Sequence, residues 1–280
     1  MDPSLSLPWP KLETATPFDD GALYDVLFDR FDYGLDFYLG LARAAGGPVL
    51  EVACGTGRVL LPCLKAGFDV DGLDLSANML AALRKKAAAL GFRPQVYEGN
   101  MASFQIGRRY ALIMIPFNAF AHNLTTLDQV ATLVRCREHL QPNGVLAFDG
   151  GFPGSAMITA PENTRVLELE TTHPETGLPV RLFDTRSFDR VQQIQHSRIE
   201  IELLDGAGNV MVTHRSQTTT RWIYQFEMEL LLRTAGFGRW EIFGDFDRRP
   251  LSRETDALIV QAWNNLPSDG IVSRNNDQPC

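Results

Sequence analysis

Between residues 18 and 45, Leu23, Val26, Leu27, Phe31, Leu35, Phe37, Tyr38 and Leu41 recur at helical spacing, which predicts one or two helices ahead of any strand. Beyond them, short apolar runs alternate with helical stretches. The runs at 49–53, 69–74, 95–98, 111–115 and 144–149 read as strands, and 58–66, 77–90 and 127–140 as helices between them. Pro142-Asn143-Gly144 closes the last helix and opens the fifth strand. Alternation of this kind implies right-handed crossovers and a parallel sheet.

The pattern then changes. Residues 164–221 lose helical periodicity and become rich in Thr, Val, Ile, Leu and Arg, with strands expected at 165–173, 180–190, 193–204 and 210–220. Asp205-Gly206-Ala207-Gly208-Asn209 and Glu175-Thr176-Gly177 are hairpin signals, so an antiparallel sheet is inserted here. Helical spacing resumes at 226–235, ends at Gly236, and two more strands follow near 240–244 and 257–263. The expected division is a mobile proline-rich arm at 1–17, a core at 18–154 and 222–263, the insert at 155–221, and a polar tail at 264–280.

Composition changes this picture little. The 280 residues suit one large domain or a core with an elaboration. A hydrophobic content of 45% and a charged content of 21% are ordinary for a soluble globular protein. The formal net charge of −8 argues against nucleic acid as the main partner, because such proteins usually present a basic face. No apolar run approaches bilayer length, and residues 1–8 lack a basic region followed by an apolar core, so no membrane partner and a cytoplasmic location are expected. Cys54, Cys63, Cys136 and Cys280 show no Cys-x-x-Cys spacing, which fits a reducing compartment and gives no zinc signature.

Candidate chemistry begins where the first strand runs into Gly55-Thr56-Gly57. Glycines in such a turn let backbone approach a ligand closely. Asp74, at the tip of the next strand, offers a carboxylate to ribose hydroxyls at the carboxyl edge of a doubly wound sheet. A nicotinamide-dependent oxidoreductase is one alternative. The dinucleotide fingerprint, however, needs a third glycine where this chain has Leu60, and Glu51 would repel a pyrophosphate. A cation suits Glu51 better. A non-catalytic binding module that keeps the same fold is the other alternative.

Glu51-Val52-Ala53-Cys54-Gly55-Thr56-Gly57 resembles motif I of the class I S-adenosylmethionine-dependent methyltransferases. Leu73 to Leu80 is similar to the family's second-strand segment, Gly99-Asn100-Met101 to its Gly-Asp-Met/Ala, and Ile115-Pro116-Phe117-Asn118 to its fourth-strand edge. Asn100 departs from the family's acid, although its carbonyl oxygen can accept the same hydrogen bond. The resemblance implies an α/β, Rossmann-like doubly wound seven-stranded sheet with the antiparallel sheet inserted after the fifth strand. A looser likeness, resting on layout and on Arg221, Glu229 and Ala235-Gly236-Phe237, is to glycine/sarcosine and amino-sugar N-methyltransferases.

The implied cofactor is S-adenosylmethionine, with S-adenosylhomocysteine as product and a small-molecule acceptor methylated on nitrogen or oxygen. The implied cofactor contacts are Tyr33, Glu51, Ala53, Cys54, Gly55, Gly57, Arg58, Asp74, Leu75, Met79, Gly99, Asn100, Met101, Pro116 and Phe117. His122, Asn118 and Tyr24 are the candidates at the reacting end; no metal is expected. Local alternatives stay open: Asp74 or Ser76 as the cap of the following helix, Asn100 as the cap of the turn at Met101, and Arg221 as the partner of an acidic substrate or of Glu229. Methyl transfer is an in-line displacement for which alignment supplies roughly 7–11 kcal/mol, and a general base is needed only where the acceptor must lose a proton. An unpaired strand edge in the insert would favour a homo-oligomer.

Overall fold

A computed structural model of the chain describes residues 13–151, 153–154, 157 and 159–265. Two helices, α1 (Gly21–Phe28) and α2 (Leu35–Ala45), lead into β1 (Val49–Val52), α3 (Leu60–Lys65), β2 (Val70–Asp74), α4 (Ala77–Ala89), β3 (Val96–Glu98) and β4 (Tyr110–Ile115). After α5 (Thr126–His139) and β5 (Leu140–Gly151) come four long strands, β6 (Arg165–Thr172), β7 (Pro179–Asp189), β8 (Ile194–Leu204) and β9 (Val210–Arg221). The chain then forms α6 (Gln225–Thr234), β10 (Arg239–Phe243) and β11 (Ala257–Trp263).

The larger sheet has seven strands in the order β10-β11-β5-β4-β1-β2-β3. Its first five strands along the chain pair in parallel, and β11 and β10 add antiparallel at one end. The doubly wound sheet read from the sequence is present. Strands β6 to β9 form a separate antiparallel sheet in simple order. Helix and strand limits differ from expectation in two places. Strand β5 starts directly after α5 and includes Pro142-Asn143-Gly144, with a register shift opposite Tyr110 and Leu112. Gly144 allows this, because a Cβ there would stand 2.8 Å from the Tyr110 carbonyl oxygen. Helix α3 starts at Leu60, not 58.

Side chains alternate along β1, so Val49 and Leu50 enter different cores. Leu50, Val52, Ile113, Ile115 and Phe148 pack with Leu133 of α5 and Met228 and Leu232 of α6. Val49, Leu112, Met114 and Ala147 pack with Tyr38, Leu41, Leu60, Leu80 and Leu83 from α2, α3 and α4. Alternation sends Glu51 to the same side as Val49, which removes its carboxylate from water. A third cluster joins the small sheet to the rest: Val180, Leu182, Ile201, Leu203 and Val212 cover Leu23 and Leu27 of α1.

Residues 13–17 do not behave as part of a mobile arm. Thr14 N–H donates to the Arg215 carbonyl at 3.0 Å, Gln217 N–H to the Ala15 carbonyl at 3.3 Å, and Thr14 Oγ1 meets the buried His214 Nε2 at 3.1 Å. Ser76 Oγ donates to the Phe18 carbonyl at 2.8 Å, so the segment bridges β9 and the head of α4. The remainder of that arm and most of the expected tail lie outside the described residues. Among the described residues no helix is long and apolar enough to cross a membrane.

Asp149 in β5 holds the exit of β4. It is 3% exposed and accepts from Tyr38 Oη at 2.6 Å, Phe117 N–H at 2.8 Å and Asn118 N–H at 2.9 Å. Phe117 and Asn118 have φ of 62° and 56°, a left-handed geometry costly for residues with a Cβ. The carboxylate compensates for that cost. Asp149→Ala is expected to lower folding stability by about 3 kcal/mol by stranding buried donors, and Tyr38→Phe by about 1 kcal/mol. Urea denaturation measures both, and equal small losses would remove Asp149 from this role.

Candidate active site

The carboxyl ends of β1, β2, β3 and β4 converge on one side of a cavity of about 1120 Å³. Its far wall comes from β7, β8 and β9, and its rim from residues 15–19 and α1. Single-ligand pockets are roughly 300–1,000 Å³, so the space admits two molecules side by side.

The turn after β1 has successive departures from ordinary backbone: Ala53, Gly55 and Gly57 have φ of 56°, 54° and 91°. The two glycines serve different ends. Gly55 lines the cavity, its N–H donates to Asp74 Oδ2 at 2.7 Å, and a Cβ there would stand 3.3 Å from Met79 Cε. Gly57 does not line it; a Cβ there would meet Leu61 and Leu83 at 3.0 and 3.1 Å, so this glycine serves packing of α3 on α4. Cys54 also faces away. Its sulfur lies 2.7 Å from where a Gly72 Cβ would sit, and burial pushes its thiol well above the usual range, so it is no nucleophile.

Asp74 faces the cavity at the end of β2. Its other oxygen accepts from Ser76 N–H at 2.8 Å, while Ser76 Oγ, not Asp74, caps α4 through Met79 N–H. Burial raises the Asp74 pKa, and the N–H groups of Ser76, Gly55 and Leu75 oppose the rise. Each oxygen keeps an accepting position for a further donor. Leu75, Met79, Gly99 and Met101 line the same end, as does Glu98, which sequence reasoning did not select. Asn100 also lines it, but its Oδ1 is engaged by Ala102 N–H at 2.8 Å. The turn-capping role left open for it is therefore realised.

Glu51 and Arg58 do not line the cavity; they stand behind this turn. Glu51 is 2% exposed and its Oε2 has no partner. Burial pushes its pKa up to about 8, with Arg58 opposing and Asp74 adding to the rise. The Arg58 guanidinium lies 4.4 Å over the Phe117 ring and donates from Nη1 to the carbonyls of Phe31 and Tyr33, both at 3.1 Å, while Nη2 has no partner. Tyr33 thus contributes a carbonyl, not its ring. The ring is 46% exposed, packs edge-on against Phe246 and does not reach the cavity. A buried acid with one unpartnered oxygen and a guanidinium with one unpartnered nitrogen fit the ammonium and carboxylate of an amino acid, and Asp74 fits a ribose, so the residues present suit S-adenosylmethionine.

At the other end Pro116, Phe117 and Asn118 line the cavity where β4 stops. His122 follows in the 3-10 turn Ala119–His122, edge-on to Phe18 at 5.2 Å. Burial lowers its pKa, and a hydrogen bond with the Thr219 backbone opposes the change, so the ring is neutral at neutral pH. Tyr24 also lines the cavity, and burial raises its phenol pKa, opposed by Arg58, keeping it protonated. Leu182, Ile199, Gln217 and Thr218–Thr220 complete the wall from the small sheet. Sequence reasoning missed them because alternation marks a strand face without saying what it covers. Arg221 pairs with Glu227 at 3.3 Å, not with Glu229.

Residues 49–144 match the methyltransferase domain family, and with this fold and site the chain carries a domain of the S-adenosylmethionine-dependent methyltransferase class. Over 101 residues it is 33% identical to a dTDP-3-amino-3,4,6-trideoxy-alpha-D-glucopyranose N,N-dimethyltransferase of Streptomyces venezuelae, covering 36% of this chain and 41% of that one. A glycine/sarcosine N-methyltransferase of Halorhodospira halochloris is 32% identical over 117 residues, covering 41% and 44%. The chain thus spans less than half the length of these curated relatives. Among solved structures, the CcbJ methyltransferase of Streptomyces caelestis superposes with a TM-score of 0.70 at 26% identity, covering 89% of this chain and 98% of that one.

The buried Glu51 carries a pH signature. Its folded pKa of about 8 lies above the ordinary 4.5, so the folded state binds the extra proton between these values. The stability it contributes is present at low pH and lost as pH rises from about 4.5 through 8. Glu51→Gln is expected to flatten that decline in urea-unfolding free energy of the ligand-free protein. An unchanged slope would mean that Glu51 is ionised throughout.

Proposed function

We propose that this chain transfers a methyl group from S-adenosylmethionine to a nitrogen of a small-molecule amine. The observation that carries the reading is the pair of unpartnered buried atoms, Glu51 Oε2 and Arg58 Nη2, behind a turn whose Gly55 and Asp74 open into a cavity with room beyond them. Glu51 would hold the cofactor's ammonium, Arg58 its carboxylate, Asp74 its ribose hydroxyls, and Met79, Gly99 and Met101 would flank the adenine. The cofactor supplies a methyl group already activated by a sulfonium.

The protein's own residues then have three tasks: to align the amine, to exclude water and to leave its lone pair free. Phe117 and Asn118, fixed by Asp149, hold the β4 edge rigid where the acceptor approaches. Phe18, Tyr24 and Phe28 close the rim with apolar surface. His122, neutral because it is buried, accepts a proton or a hydrogen bond from the amine without repelling it. Nitrogen is favoured over oxygen because both curated relatives described above are named for nitrogen methylation. The strands of the insert are read as a lid over the acceptor.

Calorimetry with S-adenosylhomocysteine tests the cofactor half. Asp74→Ala is expected to weaken binding by about 10- to 100-fold, the scale of lost hydrogen bonds to a charged group; unchanged affinity would remove Asp74 from the ribose. For the reacting end, His122→Ala is expected to lower kcat while leaving S-adenosylhomocysteine affinity alone. The wild-type rate should fall only below the ordinary histidine range, because burial lowers this pKa. A rate that ignores both the substitution and acid would retire His122.

A further inference from the structure

The charge of the cavity wall narrows the acceptor beyond the proposed reaction. Its ionisable acids are Asp19, Asp74, Glu98 and Asp128, and none of the described lining residues is lysine or arginine. Away from the ends of β1 to β3, Asp19 on the rim and Asp128 of α5 are the only ionisable acids among the described lining residues. Phe18, Tyr24, Phe28, Leu182 and Ile199 give rings and aliphatic groups, while Thr218 and Thr220, on the same face of the small sheet as Ile199, give hydroxyls.

Of the nearby guanidinium groups, Arg58 is assigned to the cofactor's carboxylate and keeps Nη2 unpartnered, and Arg221 keeps only Nε unpartnered. Arg186 binds Asp184 at 2.7 Å and Glu168 at 2.9 Å, and Arg221 binds Glu227 at 3.3 Å. The lid's inner face adds further acceptors instead of cations. Asp184 and Ser216 each sit opposite Ile199 in the register of the small sheet, so they share its face. Both are buried, and Asp184 Oδ1 and Ser216 Oγ have no partner.

We infer that the acceptor is an amine with a partly apolar, hydroxyl-bearing body that carries neither phosphate nor carboxylate. This rests on the methyltransferase reading of the same cavity. A phosphate or carboxylate desolvated here would find no guanidinium or ammonium among the described lining residues and would face carboxylates. Hydroxyls and a cationic or neutral amine, by contrast, find the Thr218 and Thr220 side chains, with Asp184 and Ser216 on the same face beyond the lining residues. The site therefore differs in charge from what a nucleoside-diphosphate sugar or a free amino acid needs, although both are named in its relatives.

The test is calorimetric titration of the S-adenosylhomocysteine-loaded protein with an alkyl glycoside of an amino sugar, with the dTDP-linked form of that sugar, and with glycine. The glycoside is expected to bind about a hundredfold more tightly than either anionic amine, the scale of a charge buried without a partner. Equal or tighter binding of the dTDP-linked sugar or of glycine overturns the inference, as does a glycoside that fails to bind. A protein that takes up no S-adenosylhomocysteine sinks the underlying reading first and this one with it, so the two failures are told apart. Thr218→Lys places a cation in the lid and should raise affinity for the dTDP-linked sugar by about tenfold, the scale of a newly formed charged pair. Ser216→Lys is the second variant should the first not fold. An unchanged preference in a folded variant removes the lid from acceptor contact and overturns the inference.

Discussion

Carboxylates taken out of water on three strands of one sheet govern this molecule. Glu51, Asp74 and Asp149 occupy β1, β2 and β5, and burial raises the pKa of all three. They differ in how far the protein satisfies them. Asp149 receives a phenol and two backbone N–H groups, so its charge is matched within the fold. Asp74 receives two backbone N–H groups and faces open space. Glu51 keeps one oxygen with no partner at all. A buried acid without a partner is costly, so the order Asp149, Asp74, Glu51 runs from structural support to ligand demand.

The same requirement shapes the backbone around the cavity. Donors reach these acids only because the chain bends sharply at Ala53 and Gly55 after β1 and at Phe117 and Asn118 after β4. Those bends turn peptide N–H groups toward Asp74 and Asp149 and leave a concave surface between them. Helix α1 closes over that surface through a separate polar chain. Thr56 Oγ1 donates to Asp25 at 2.5 Å, and Lys86 Nζ bridges Asp25 and Asp29 at 2.8 and 2.7 Å. The Gly-Thr-Gly turn is thus fixed on one side by its acid neighbour and on the other by the helix above it.

This arrangement explains which parts were legible in the sequence. The succession of strands and helices followed from alternating periods, and Gly55, Asp74, Phe117 and His122 were legible because each stands at or just beyond the end of a strand. Proximity to a motif was a poorer guide to side-chain direction. Cys54 and Gly57 lie in the turn itself and Tyr33 in the leading segment, yet Tyr33 presents a carbonyl, Cys54 faces β2 and Gly57 packs helices. Asp149 was read only as a strand residue, because its partner Tyr38 lies 111 positions away and its other donors depend on a left-handed bend at two residues that favour ordinary backbone. The lid contacts were hidden for a similar reason: Thr218 and Ile199 sit on a face whose covering depends on how the small sheet lands on α1.

That landing links the two ends of the cavity. The small sheet reaches the core through apolar contact with Leu23 and Leu27, through the Thr219 backbone on His122, and through the residue 13–18 segment that runs from β9 to Ser76. Ser76 N–H, in turn, bonds Asp74. A displacement of the small sheet therefore strains contacts to His122 and to the head of α4, whose cap Ser76 bonds Asp74 at the end of β2. The two ends of the cavity are held by one connected set of bonds, so their relative placement is set by how the inserted sheet docks.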